Sequence, residues 1–452
     1  MKKMGQNWLV CGAWLGLGST LTVEPILLSL LPEILVLQAQ EIVELPGRDR
    51  YIEPDFEEVF HVGVLQGEPW EMFDRVDHVA FDAEGNLFVV DGIIGATSTG
   101  DVRILVFDAA GGFQGEFGSP GEGPGEFRRP TGVAVLRDGT TVVSDAGHRA
   151  YQLFGRSGVF LRSVRLHGVS VPGSILPDPR GGAVFAGSFR GSLNIRVGIA
   201  GGGPVAPQTS RPVLWVRLAG EVVRADTVVH GWLPPRGNLN DLAQHNTPSE
   251  LREMLGRITL PTIFEPRLLA GVLPNGGIVH ADSSAYTLKV TLPGSQQVAR
   301  IIRRPFLPEA VTPAVQREYE ERRAAAQESR GQGGRGGGIR RVEVLGSSGE
   351  GVNPSASAGF DVERRYYHEV PVLRDLATTW EGRIWVLRRG DQPESDGPID
   401  VVAVNGEYVG SYRMGATGMP AAFGPAGLAA FIEPDEFDVA RVVVRKLPTE
   451  VR

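Results

Sequence analysis

Three aspartates each stand six residues after a glycine: Gly85 and Asp91, Gly139 and Asp145, Gly276 and Asp282. Repeated carboxylates could ligate a hard cation, which takes oxygen ligands. They could equally cap the turn after each strand by accepting nearby backbone N–H groups. The repetition favours capping, because equivalent positions of a repeat lie apart in space. The histidines are His61, His78, His148, His167, His230, His245, His280 and His368, and no two show the His-x-x-x-His spacing of a zinc site. His78 stands out because it adjoins Asp77 in a β-rich run. The glycine-rich stretch 118–130 lacks the Lys-Ser or Lys-Thr of a phosphate-binding loop. No Gly-x-Ser-x-Gly nucleophile elbow occurs. Cys11 is the single cysteine and lies in the apolar first segment, so a chain without that segment is expected to have neither a disulfide nor thiol chemistry.

The elements that carry the aspartates recur. A turn glycine followed by a short apolar run appears at Gly85, Gly139, Gly181, Gly276, Gly382 and Gly427. The runs end at Asp91, Asp145, Gly187, Asp282, Arg388 and Glu433. Spacings between the glycines are 54, 42, 95, 106 and 45 residues. The short ones match one four-stranded propeller blade, and the long ones require insertions. Insertions are visible at 188–212, at 233–262, where a short helix is expected near 248–255, and at 305–360. The apolar runs do not alternate: Leu87, Phe88, Val89 and Val90 are all apolar. A strand covered on one face alternates, so a continuous run predicts burial on both faces, as between stacked blades. Further out, Val102, Ile104 and Val106 face one way, with Arg103 on the other side. The predicted fold is all-β: a six-bladed β-propeller with four-stranded antiparallel blades, plus surface helical and disordered insertions. The segment 56–64 is expected to complete the last blade, which would leave no open sheet edge.

The second unit also carries a resemblance. A Gly/Pro-rich loop ending in Gly125, Glu126 and Phe127 is followed by Pro130, then Gly132, Val133, Ala134 and Val135. Asp138 and Gly139 come next, then Val142, Val143 and Asp145, then Phe154, Gly158 and Phe160. This order resembles the NHL repeat of six-bladed propellers, and in particular is similar to bacterial exported propellers of unassigned activity. The resemblance is good over 76–164, moderate over 265–303 and 370–412, and poor over 165–264. The region 421–427 departs from it, being rich in Ala, Gly and Pro.

The first residues differ from the rest. Lys2 and Lys3 precede apolar runs at 8–23 and 26–37, broken by Glu24 and Pro25, and Ala39 ends a small-residue cleavage pattern. The pattern predicts a signal peptide over 1–39 and an exported chain, periplasmic or extracellular, with no membrane span after cleavage. A linker is expected over 40–55 and the propeller over 56–452. Within the propeller, 305–360 is expected to hold a helix at 311–330, capped by Thr312 with Pro313 in its first turn, and a flexible Gly-rich loop. The net charge of −8 argues against nucleic acid as a partner.

These readings point to a monomeric binding module that takes an unknown small ligand or protein at one end of its channel. The innermost strands begin near Asp77 and His78, Arg129 and Thr131, Glu265 and Arg267, and Arg374 and Asp375. These eight are the candidate contact residues. No cofactor follows from the residues. The alternative is a channel-site enzyme of lyase or lactone-hydrolase type, and a divalent metal belongs only to that reading.

Overall fold

The computed structural model describes residues 40–95, 98–166, 174–188, 209–234, 262–332, 365–437 and 439–452. They belong to one unit, Gln40–Arg452. Six sheets of four antiparallel strands follow one another along the chain. The first blade is Val76–Phe81, Leu87–Gly92, Val102–Phe107 and Phe113–Phe117. The second is Pro130–Val135, Thr141–Asp145, Ala150–Phe154 and Phe160–Arg165. The third is Ser174–Pro177, Ala183–Gly187, Ser210–Arg217 and Arg224–Trp232. The fourth is Leu269–Val272, Ile278–Ala281, Thr287–Thr291 and Val298–Arg303. The fifth is Leu373–Thr378, Arg383–Arg389, Asp396–Ala403 and Tyr408–Tyr412. The sixth is Ala422–Phe423, Leu428–Pro434 and Ala440–Lys446, and its outer strand is Glu57–Val62 from the other end of the chain. That pairing closes the ring.

The second strand of each blade shows why it is apolar throughout. Leu87 and Val89 pack into a core shared with the sixth blade, while Phe88 and Val90 pack into one shared with the second. Each further pair of neighbours shares a core in the same way, and the last joins the fifth blade to the sixth. Stability thus comes from burial between blades rather than within one sheet.

Each of the six glycines lies in the turn between the first and second strands of its blade, one per blade, with φ between 79° and 100°. In five of them the glycine N–H bonds back three residues, as Gly139 N does to Leu136 O at 2.9 Å. That left-handed conformation costs an L-residue free energy and glycine little.

The N-terminal segment does more than close the ring. Glu41–Glu44 pairs in parallel with the outer strand of the fourth blade. Tyr51 then bridges to Ser411 on the outer strand of the fifth, and Glu57–Val62 joins the sixth. Residues expected to be a linker therefore form a strap over two blade edges. Edge strands invite pairing with other chains, and the strap covers two of them.

The inserted helix, α1 (Pro313–Gln332), begins where expected. Val315 N donates to Thr312 Oγ1 at 3.4 Å. Its Tyr319 packs edge-on against Phe264 and Tyr366, and Glu320 accepts the Tyr366 hydroxyl. The signal-peptide segment 1–39, the short helix near 248–255 and the Gly-rich stretch after Gln332 lie outside the described residues.

Candidate functional site

Antiparallel blades give the ring two unlike ends. The first-to-second and third-to-fourth connections lie at one end and are short, the glycine turns among them. The second-to-third connections and the crossings between blades lie at the other. Every long insertion belongs to this second end: 188–209, 233–268 and 304–372 all fall in such connections. Length is tolerated there because a connecting loop costs little more when it grows.

The innermost strands begin at the same end, and three of them begin with a bulge. In the first blade the register runs Val76 to Asp91 and then His78 to Val90, which leaves Asp77 unpaired. In the second it runs Pro130 to Asp145 and then Gly132 to Ser144, which leaves Thr131. In the fifth it runs Leu373 to Arg388 and then Asp375 to Leu387, which leaves Arg374. A bulge re-aims the extra side chain out of the ladder, and bulges collect at barrel rims and functional sites. Asp77, Thr131 and Arg374 are thus equivalent rim positions. His78 and Asp375 follow them in register.

The other candidates sit nearby in different roles. Arg129 is exposed, and its N–H is held by Asp145 Oδ1 at 3.0 Å. Arg267 is exposed at the entry to the fourth blade. The Glu265 side chain is 7% exposed and pairs with Arg211, which also donates to Trp232 O at 2.9 Å and Pro266 O at 2.8 Å. That pair braces the third blade to the fourth. Arg374 turns to Asp396 on the third strand of its own blade, at 2.7 Å. Asp77 stands 4.0 Å from Arg75. Burial pushes the Asp77 carboxyl above the ordinary carboxylate range, against the pull of Arg75 and the Ile94 amide. All eight lie at the end of the ring where the innermost strands begin; Arg374 and Glu265 have the partners just named, and Thr131 Oγ1 donates to Ser144 O at 3.1 Å.

The repeated aspartates hold the chain where it enters each blade. Asp145 accepts the N–H groups of Arg128, Arg129, Gly147 and His148 at 2.8 to 3.1 Å, and His148 Nδ1 lies 2.9 Å away. Asp91 accepts Arg75 N at 2.7 Å and Arg103 Nε at 3.0 Å. Asp282 accepts Trp232 N at 2.8 Å and Lys289 Nζ at 2.7 Å. Burial alone would raise Asp145 and Asp282, but these donors hold both below the usual range. Among the described residues, no three His, Cys, Asp or Glu side chains come together as a metal site.

Two features escaped the sequence reading. The first surrounds Arg388, which stands where the aspartate would be. Its guanidinium meets Asp49 Oδ2 at 2.7 Å, and Arg304 meets Asp49 Oδ1 at 2.8 Å and Asp400 Oδ2 at 2.7 Å. Burial would raise Asp49, yet these arginines hold it low. The cluster fastens the strap. A shallow hollow of about 470 Å³ beside it, lined by Glu44, Arg48 and Tyr408, lies on the strap. The inverted charge at Arg388 was the available signal, but its partner lies 339 positions away in sequence. The second is Arg137, whose guanidinium carbon lies 4.5 Å from the ring centre of Trp380. No spacing rule links those two residues.

No family model matches the chain. Over 126 residues it is 29% identical to the human E3 ubiquitin-protein ligase NHLRC1, a match covering 26% of this chain and 32% of that protein. The chain is a six-bladed β-propeller that over this stretch is similar to NHLRC1. It spans about a third of the length of that relative. Among solved structures, it is similar to a Bacteroides fragilis protein assigned to export by description only, at TM-score 0.44 and 10% identity over 91% of this chain and 99% of the other. The β-propeller domain of Myceliophthora thermophila Cps50 (Swd1) matches at TM-score 0.37 and 10% identity, over 87% of this chain and all of that domain. Kuenenia stuttgartiensis hydrazine synthase matches at 0.32 and 11%, over 76% and 68%. No helix among the described residues is long and apolar enough to cross a membrane.

Proposed function

We propose that this protein is an exported binding module that takes a small ligand or a protein surface at the insertion-bearing end of its channel. The observation that carries the reading is the set of equivalent bulges at Asp77, Thr131 and Arg374. They place an acid, a hydroxyl and a base at the end of the ring where every long insertion leaves and rejoins the blades, the Thr131 hydroxyl donating to Ser144 O at 3.1 Å. His78, Arg129, Arg267 and Asp375 extend that rim, and Glu265 supports it. Recognition at such a rim needs a rigid scaffold with variable loops, which a closed ring supplies. Export rests on the basic and apolar start of the sequence. The ring acts as a monomer, with the strap covering two of its blade edges. The metal-dependent lyase or lactone-hydrolase reading has no donor set among the described residues.

A thermal-shift screen with small organic acids, sugars, short peptides and divalent cations tests the proposal. Compounds that raise the unfolding temperature of the wild type are expected to lose that effect in a His78→Ala, Arg129→Ala double variant, whose own unfolding temperature stays near that of the wild type. Stabilisation that persists unchanged in the variant would place binding elsewhere. A saturable response to a divalent cation alone would turn the reading toward the enzyme.

A further inference from the structure

We propose that the channel is a blind cup, barred at its glycine-turn end by Arg137 and Trp380, and that Arg137 seats an oxyanion there. Arg137 lies in the first-to-second turn of the second blade, and Trp380 in the same turn of the fifth. In a closed ring of six these two blades stand opposite. Their side chains nevertheless meet, with 4.5 Å between the guanidinium carbon and the ring centre. The pair therefore bridges the axis.

Both halves are anchored. Trp380 packs against the cores on either side of the sixth blade, where the innermost strand is only Ala422–Phe423. The small residues of 421–427, a weak strand by sequence, leave room for the indole. The Arg137 carbonyl accepts Ala83 N at 2.8 Å from the matching turn of the first blade.

The charge at this floor is uncompensated. Arg156 pairs with Asp82 and Glu84, and Arg180 with Asp178 at 2.7 Å. Among the described residues, half-buried Arg137 has no carboxylate in ion-pair reach. The acids on its own turn and on the turn of Trp380 are engaged with backbone: Asp138 accepts Thr140 N at 2.9 Å, and Glu381 accepts Gly427 N at 3.1 Å. A contact with an indole face satisfies the charge in part and consumes no oxygen acceptor. The five N–H donors of a guanidinium match a carboxylate or a phosphate. The ligand class is a small molecule bearing one of these groups. It enters from the insertion end with the anionic group leading. This inference rests on the binding-module reading.

The test uses inorganic phosphate and citrate against chloride at matched ionic strength, read by tryptophan fluorescence and unfolding temperature of the full chain. The wild type is expected to give a saturable response to phosphate and citrate but not to chloride. Arg137→Gln should weaken it at least tenfold. Arg137→Lys, which keeps the charge and loses the fork, should weaken it several-fold and serves if Arg137→Gln does not fold. An unchanged response in both Arg137 variants, or none in the wild type beyond chloride, would overturn the seat while leaving binding at the mouth standing.

Discussion

Asp145 is fully buried and holds four backbone N–H groups of two different segments. Removing it strands those donors, and a buried donor without a partner costs roughly 1 to 3 kcal/mol. Asp145→Ala is therefore expected to destabilise the ring by about 3 kcal/mol or more, read from the urea midpoint. A loss below about 1 kcal/mol would show that water replaces the carboxylate. His280 gives a different signature. It is 3% exposed on the second strand of the fourth blade, near Asp282 and Lys289. Burial moves its pKa from 6.5 down to about 4. The unfolded chain then binds a proton over that window while the folded chain does not. His280 thus contributes stability that is complete above pH 6.5 and falls away as pH drops toward about 4. His280→Asn should flatten that part of the stability profile, and an unchanged slope would contradict the assignment. The aspartates were legible as repeats, and capping follows from residue type. The partners were not, because Asp282 takes the Trp232 amide from 50 positions away. The rim residues were legible as strand starts, but the bulges that expose Asp77, Thr131 and Arg374 arise from pairing register.

At the scale of elements, the glycine turns were the most readable feature. A φ near +85° strongly favours Gly, so six glycines before six apolar runs announce six turns. Gly181 isolates the backbone contribution. A Cβ there would meet nothing within 4 Å, yet φ is 87°. Gly181→Ala is expected to cost about 1 to 2 kcal/mol by conformational strain alone, measured by chemical denaturation. A neutral result would mean that this turn relaxes to another conformation. At Gly139 a Cβ would also meet the Arg156 side chain at 2.6 Å, so the same change carries a contact as well. The continuous apolar strands were equally readable, because burial on both faces leaves no polar position. The strap was not. Glu41–Glu44 is exposed at most positions and pairs in parallel with a strand more than 250 positions away. Its sequence reads as a linker because the fastening charges, Arg304 and Arg388, belong to other blades.

For the whole molecule, closure follows from shared cores in a circle, with the sixth blade built from both chain ends. The strap tightens this closure through Arg304, whose side chain is fully buried between Asp49 and Asp400. Breaking a buried pair leaves a charge without its counterion and costs roughly 3 to 5 kcal/mol. Arg388 remains beside both acids, so Arg304→Ala is expected near the lower figure, about 3 kcal/mol by chemical denaturation. A change below about 1 kcal/mol would show that the strap is not fastened there. Closure also makes the two ends chemically unlike: one has tight turns and the Arg137–Trp380 bridge, the other has the bulged rim and every long insertion. The central claim is that ligands enter at the rim. Hydrogen exchange with and without the strongest stabiliser from the screen tests it most directly. Protection should rise over 72–79, 128–133 and 372–376, the entries to the first, second and fifth blades. Changes confined to the outer strands Phe113–Phe117, Phe160–Arg165 and Tyr408–Tyr412, with those entries unaltered, would contradict it.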